Sequence, residues 1–123
     1  MGATNVRQLK VWVKAHQVVL AVYKLTLSYP PTERYRLADQ MRRAAVAIPA
    51  NIAEGFTRAT SKDKGRFYNI SRSSAEELKY YLYLSRELGY IDSSAALDGV
   101  VDEVCAMLHR LWEVVLSGGR REG

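Results

Sequence analysis

The chain is poor in several features that would each assign a class of function. It has one cysteine, Cys105, among 123 residues, which excludes an internal disulfide and a cysteine-only zinc site. No apolar run approaches the ~20 residues that span a bilayer. The stretch from Met1 to Lys14 has no continuous apolar segment leading to a small-residue cleavage site, so the expectation is a cytoplasmic protein without a signal peptide or membrane contact. Period-two alternation of strand length is absent, as are the Asn-Gly and Asp-Gly signals of tight hairpins. Walker, G-x-G-x-x-G and G-x-S-x-G patterns are missing. No glutamate has a histidine three residues on, the spacing that di-metal helical bundles use. What remains is ordinary globular material, 48% hydrophobic and 25% charged, long enough for one domain with one core.

The apolar spacing predicts four helices. Val6, Leu9, Val13, His16, Leu20, Tyr23 and Leu27 alternate steps of 3 and 4, the seam of a bundle helix. That seam makes His16 a core histidine with one hydrogen-bond partner. Tyr29-Pro30-Pro31-Thr32 ends the first helix, and Thr32 is placed to cap the second. The second runs from about Glu33 to Phe56, with Leu37, Met41, Ala44, Ala45, Ile48 and Ile52 on one face. Pro49 lies inside it and predicts a kink, or two short helices meeting near Ile48. The third begins near Thr60 or Ser61, its stripe Phe67, Ser71, Ser74, Leu78, Tyr81, Ser85 and Leu88, and ends at Gly89. The fourth follows Asp92-Ser93-Ser94, carries Leu97, Val101, Val104, Leu108, Leu111 and Val115, and stops at Ser117-Gly118-Gly119. Short connections favour antiparallel neighbours, so the expected fold is all-α: an antiparallel up-down-up-down four-helix bundle over residues 1–119 with a flexible tail at 120–123.

Charge is segregated along the chain. The net charge is +5, but Arg34 to Arg72 holds nine bases against three acids, and Ser73 to Gly119 holds three bases against eight acids. That pattern fits a polyanion-binding surface or two surfaces that meet within or between chains. Arg58, Lys62 and Arg66 repeat every four residues and form one ridge if Arg58 joins the helical geometry. Such a ridge can follow phosphates without reading bases. The candidate nucleic-acid contacts are therefore Arg42, Arg58, Lys62, Lys64, Arg66 and Arg72. On the second helix, Arg36, Arg43, Ala47, Ala50 and Glu54 cluster away from the apolar stripe. This strip is either an ordinary solvated face or a subunit contact, with Arg43 and Glu54 paired across it. Tyr80 and Tyr83 suit interface packing or base stacking. Cys105 and His109 share a helix face but are two ligands where a metal needs more, and Cys105 suits a small buried site. No catalytic residue, metal or cofactor is assigned, and the protein is read as a non-enzyme. The Asn69-Ile70-Ser71 sequon lies in a helix and is read as chance.

Gln40-Met41-Arg42-Arg43-Ala44-Ala45-Val46-Ala47-Ile48-Pro49-Ala50-Asn51-Ile52-Ala53-Glu54-Gly55 resembles the signature of the small helical proteins first named for reading frames in 23S rRNA intervening sequences. Leu9-Lys10-Val11-Trp12, Ala15-His16 and Glu87-Leu88-Gly89-Tyr90-Ile91 match that family too, so the likeness runs from about Val6 to Leu116. The family is similar in fold to the accessory variability determinant of diversity-generating retroelements, a basic pentameric barrel implicated in binding nucleic acid and a reverse transcriptase. The resemblance implies a four-helix bundle assembled as a ring, a homopentamer, with RNA or DNA or a protein such as a reverse transcriptase as partner. It supplies no catalytic residue. It places Arg42, Arg43, Asn51 and Glu54 at matching positions without settling a role for them, and Asn51 joins the candidate contact strip.

Overall fold

In the computed structural model, which describes residues 2–122 and the side chains up to 118, each helix is fixed by a local signal at its ends. A 3-10 turn, Val6–Gln8, opens the chain: the Asn5 Oδ1 accepts from the Arg7 N–H at 2.9 Å and the Gln8 Oε1 accepts from the Asn5 N–H at 3.2 Å. α1 follows as Lys10–Thr26. Pro30 and Pro31 then restrict the backbone to a second 3-10 turn, Pro31–Glu33, in which Thr32 caps nothing. Arg36 keeps a non-helical backbone, so α2 is Leu37–Thr57 and starts four residues later than Glu33. α3, Ser61–Glu87, is capped as its sequence predicts: the Thr60 Oγ1 accepts from the Asp63 N–H at 3.1 Å. Gly89 ends the run with a φ of +76°, and the Tyr90 N–H reaches back to the Ser85 carbonyl. α4, Ala95–Glu122, continues through Gly118 and Gly119 instead of stopping at them. The expected tail, 120–123, falls where Gly123 and the side chains from 119 onward lie outside the described residues.

The packing order is that of a four-helix bundle. α1 packs on α2, α2 on α3, α3 on α4, and α4 returns to α1; among the described residues no Cα atoms of the diagonal pairs lie within 8 Å of each other. α1 is the least embedded of the four. One end of the bundle gathers the start of α1, the end of α2, the start of α3 and the end of α4. The other end holds the Tyr29–Arg36 connection and the start of α2.

α2 buries the stripe its sequence predicts, with Leu37, Met41, Ala44, Ala45, Ile48 and Ile52 inside, and it passes Pro49 as a single helix. The Ser71 hydroxyl of α3 donates to the Ile48 carbonyl at 2.8 Å, tying the two helices one residue before the proline. Gly55 lets α3 approach closely, since a Cβ there would lie 2.6 Å from the buried Tyr68 ring. On α3, Ser71, Leu78 and Ser85 are inside as expected, but Tyr68, Ala75 and Leu82 complete the face in place of Phe67, Ser74 and Tyr81. The serines are engaged: Ser85 donates to the Tyr81 carbonyl at 2.7 Å and contacts the Met41 sulfur. α4 buries Val101, Val104 and Leu108.

α1 departs from its expected seam. Val11, Ala15, Val18, Val22 and Thr26 face the core, while Val13, His16, Leu20, Tyr23 and Leu27 are exposed. The helix is apolar on two faces, and the core takes the one with smaller side chains. His16 is therefore no core histidine; it stacks on Trp12 with ring centroids 5.3 Å apart.

Candidate functional site

Two surfaces result. The first is the α1/α2 face. Leu20 is 58% exposed, Tyr23 47% and Leu27 80%, and they form one stripe with Val13 along α1. Beside it, Tyr23, Asp39, Arg42, Arg43, Val46, Ala47, Ala50 and Asn51 line an open groove of ≈ 680 Å³. Small side chains at Ala47 and Ala50 leave the α2 backbone near the surface. Four of the strip residues read from sequence, Arg43, Ala47, Ala50 and Asn51, lie in this groove. Arg36 precedes α2 and does not share its geometry. Glu54 lies further along α2, where its carboxylate takes Arg58 at 2.6 Å. Arg43 bonds Asp39 at 2.9 Å, so both members of the expected Arg43–Glu54 pair already have partners one turn away in their own chain. Sequence reading missed Tyr23, Val46 and the α1 stripe as surface residues. The available signal was a helix with two apolar stripes, which one small bundle cannot bury together.

The second surface is the end where α2 meets α3. Arg58 caps α2 with an extended backbone, so it does not continue the α3 geometry and the predicted i, i+4, i+8 ridge does not form by helical spacing. The cations converge by another route. The Arg58 and Arg66 guanidiniums lie 4.6 and 4.8 Å from the Phe67 ring centroid. Arg66 also approaches Asp63 at 3.9 Å. Lys62 is exposed on the outer turn of α3. Lys64 turns inward: its Nζ donates to the Phe56 carbonyl at 2.9 Å and the Gly55 carbonyl at 3.3 Å, capping α2. Arg72 lies further up α3, 2.7 Å from the His109 Nδ1 and 5.8 Å from the Trp112 ring. The end therefore presents cations interleaved with Phe67, Trp112 and His109. Arg42 does not belong to it. It sits about 22 Å along α2 from Thr57, at 1.5 Å per residue, and its Nε donates to the Thr26 Oγ1 at 3.0 Å.

The acids of α4 are partnered within the chain. Asp98 takes Arg86 at 2.9 Å, Asp102 takes Lys79 at 2.9 Å and Glu103 takes Lys14 at 3.2 Å. Cys105 faces Glu76, Lys79 and Asp102; burial, with help from the Glu76 carboxylate, pushes its thiol up to about 11. The two nitrogens of His109 face Arg72 and, at 3.5 Å, Glu113. Among the described residues no three His, Cys, Asp or Glu side chains converge as metal ligands, and no helix is long and apolar enough to cross a membrane.

Comparison with known proteins adds one family and one fold. None of the curated proteins compared matches the chain. A crystal structure from Bacteroides thetaiotaomicron, described as a protein of unknown function from the S23 ribosomal protein family, superposes with a TM-score of 0.74 at 21% identity, covering 83% of this chain and 97% of the other. At that identity the likeness shows the shared fold. The model of the 23S rRNA-intervening sequence protein family matches residues 7–110, most of the helical bundle and the whole of the Gln40–Gly55 segment, and the chain belongs to that family.

Proposed function

We propose that this protein is a cytoplasmic, non-enzymatic ring of identical subunits, five in number, that binds RNA or DNA through backbone phosphates. The observation that carries the proposal is the second apolar stripe of α1. The exposed Leu20, Tyr23 and Leu27, with Val13 two turns before them, beside a groove floored by alanines, are costly to leave in water and fit a neighbouring helix. Covering it with further copies makes the ring. Each copy brings +5, so five copies carry about +25 on one particle, enough to attract polyanions strongly at low salt.

The end bearing Arg58, Lys62, Arg66 and Arg72 is the contact surface. Lys62 is exposed, Arg66 meets Asp63 only at 3.9 Å and Arg58 shares its charge with Glu54 at the surface, while the aromatics of this end offer faces on which bases can stack. A second reading makes the ring a scaffold in which the basic segment of one protein meets acidic α4 of another. The partnering of Asp98, Asp102 and Glu103 inside the chain leaves α4 less free charge for that role. A salt titration of binding to random duplex and to structured RNA tests the proposal. Affinity falls steeply with salt, and the triple variant Arg58→Glu, Lys62→Glu, Arg66→Glu flattens that slope by about three phosphate contacts and weakens every sequence alike. A flat slope for the unaltered protein, or binding at low salt indifferent to the triple variant, contradicts it.

A further inference from the structure

At the end of the bundle opposite the Arg58–Arg72 surface, a recess of ≈ 180 Å³ is enclosed by Thr26, Leu27, Tyr29, Pro30, Pro31, Arg34 and Arg42. Its walls are stiff. Two prolines fix one side, and Tyr29, buried and packed against the Tyr90 ring at 5.4 Å, forms another. Arg42 is held in place before any ligand arrives. Its Nε donates to the Thr26 Oγ1, which itself donates to the Val22 carbonyl at 2.8 Å, and its guanidinium lies 5.7 Å from the Tyr23 ring centroid. These bonds use one edge of the guanidinium and leave the two Nη groups for another acceptor.

No carboxylate answers either arginine among the described residues. Asp39, one turn before Arg43, is bonded to Arg43, and Glu33, beside Arg34 in sequence, accepts from the Tyr90 hydroxyl at 2.8 Å. The recess therefore holds two positive charges, one of them part-buried and pre-oriented, and no negative one. A planar guanidinium fork with free Nη donors matches the oxygens of a tetrahedral oxyanion. The volume is below that of sites that enclose a drug-sized molecule. A single phosphate group fits that size, with any attached remainder outside.

We propose that the Arg34–Arg42 recess binds a phosphate group carrying two negative charges, either free inorganic phosphate or the terminal phosphate of a larger molecule. This does not rest on the reading of the Arg58–Arg72 end, which lies at the other end of the bundle and contacts diester phosphates. Arg42 supplies the oriented fork and Arg34 closes the recess as a second cation.

The test is a calorimetric titration of the full chain with inorganic phosphate at constant ionic strength, with chloride as the competing anion. Saturable binding is expected, weakened about tenfold or more by Arg34→Gln and by Arg42→Gln. Arg7→Gln, which removes an exposed cation at the opposite end of the bundle, leaves it unchanged. Because Arg42 also ties α2 to α1, Arg34→Gln, at an exposed residue with no side-chain bonding partner among the described residues, serves as the variant that separates binding from folding. A second arm compares a trinucleotide bearing a 5′-phosphate with its 5′-hydroxyl twin. A preference for the former that Arg34→Gln abolishes identifies a terminal phosphate; equal binding of the twins beside saturable inorganic phosphate identifies the free anion. Absence of saturable phosphate binding, binding unaffected by Arg34→Gln, or an equal loss in Arg7→Gln overturns the proposal.

Discussion

Replacing Leu20 with serine separates the two faces of α1. Leu20 is 58% exposed in the single chain, and full burial of a leucine is worth about 2–3 kcal/mol, so roughly 1 kcal/mol is at stake within the bundle. The remaining ~1.5 kcal/mol is realised only if another copy covers the side chain. A serine hydroxyl left without a partner in that covered position adds a further cost of about 1–3 kcal/mol. Assembly should therefore weaken by roughly 100-fold per contact while the fold changes little. Val18→Ala on the other face is the control. Val18 is fully buried, so its truncation should cost the fold about 2 kcal/mol whether or not copies associate. Urea unfolding at several protein concentrations reads both effects. The unaltered protein should show a midpoint that rises with concentration, Leu20→Ser should lose that dependence, and Val18→Ala should keep it at a lower midpoint. If Leu20→Ser and Val18→Ala shift the midpoint alike and neither alters the concentration dependence, the assignment of the α1 stripe to a subunit contact is refuted.

Two further outcomes follow from particular contacts. Gly55→Ala gains about 1 kcal/mol of helix propensity, but its Cβ would lie 2.6 Å from the buried Tyr68 ring and 3.2 Å from the Lys64 backbone carbonyl, so net destabilisation of about 1–3 kcal/mol is expected in urea melts; an alanine variant at least as stable contradicts that close approach. Cys105, pushed from 9.0 to about 11, stays protonated in the fold while an unfolded thiol ionises, so the fold loses stability as pH rises from 9 toward 11. Cys105→Ser should flatten that decline, and disulfide-exchange reagents at pH 8 should modify the native thiol about 100-fold more slowly than the unfolded one; rapid native modification would show the thiol to be accessible and ionised.

The sequence pattern served unevenly, and the reasons are physical. The core stripe of α2 was legible because the six positions read from its spacing are all apolar and all buried, with Ala38, Pro49 and Gly55 buried beside them. α1 was not, because Val11, Ala15, Val18 and Val22 form a stripe as regular as Leu20, Tyr23 and Leu27, and periodicity does not say which of two apolar faces meets its own chain. On α3 the serines at 71 and 85 read correctly as interior, yet Phe67 and Tyr81 drew the predicted face sideways; both are amphipathic in use, Phe67 lying beneath two guanidiniums and the Tyr81 hydroxyl bonding Glu77. The basic end was legible as composition but not as geometry. Arg58 lies outside any helix, and only the fold shows that it meets Arg66 across a ring. Lys64 counted as a free cation in the sequence, whereas it caps α2. Arg42 and Arg43 are adjacent in the chain yet line different recesses in part, since one reaches Thr26 and the other Asp39.

The mass of the purified particle by light scattering, measured before and after nuclease treatment and across a range of concentrations, is the most direct test of a ring built on the outer stripe of α1. The expected result is a nuclease-resistant particle of about five times 13.9 kDa, with additional mass before treatment that nuclease removes. A particle of 13.9 kDa at every concentration, carrying no nucleic acid, contradicts it.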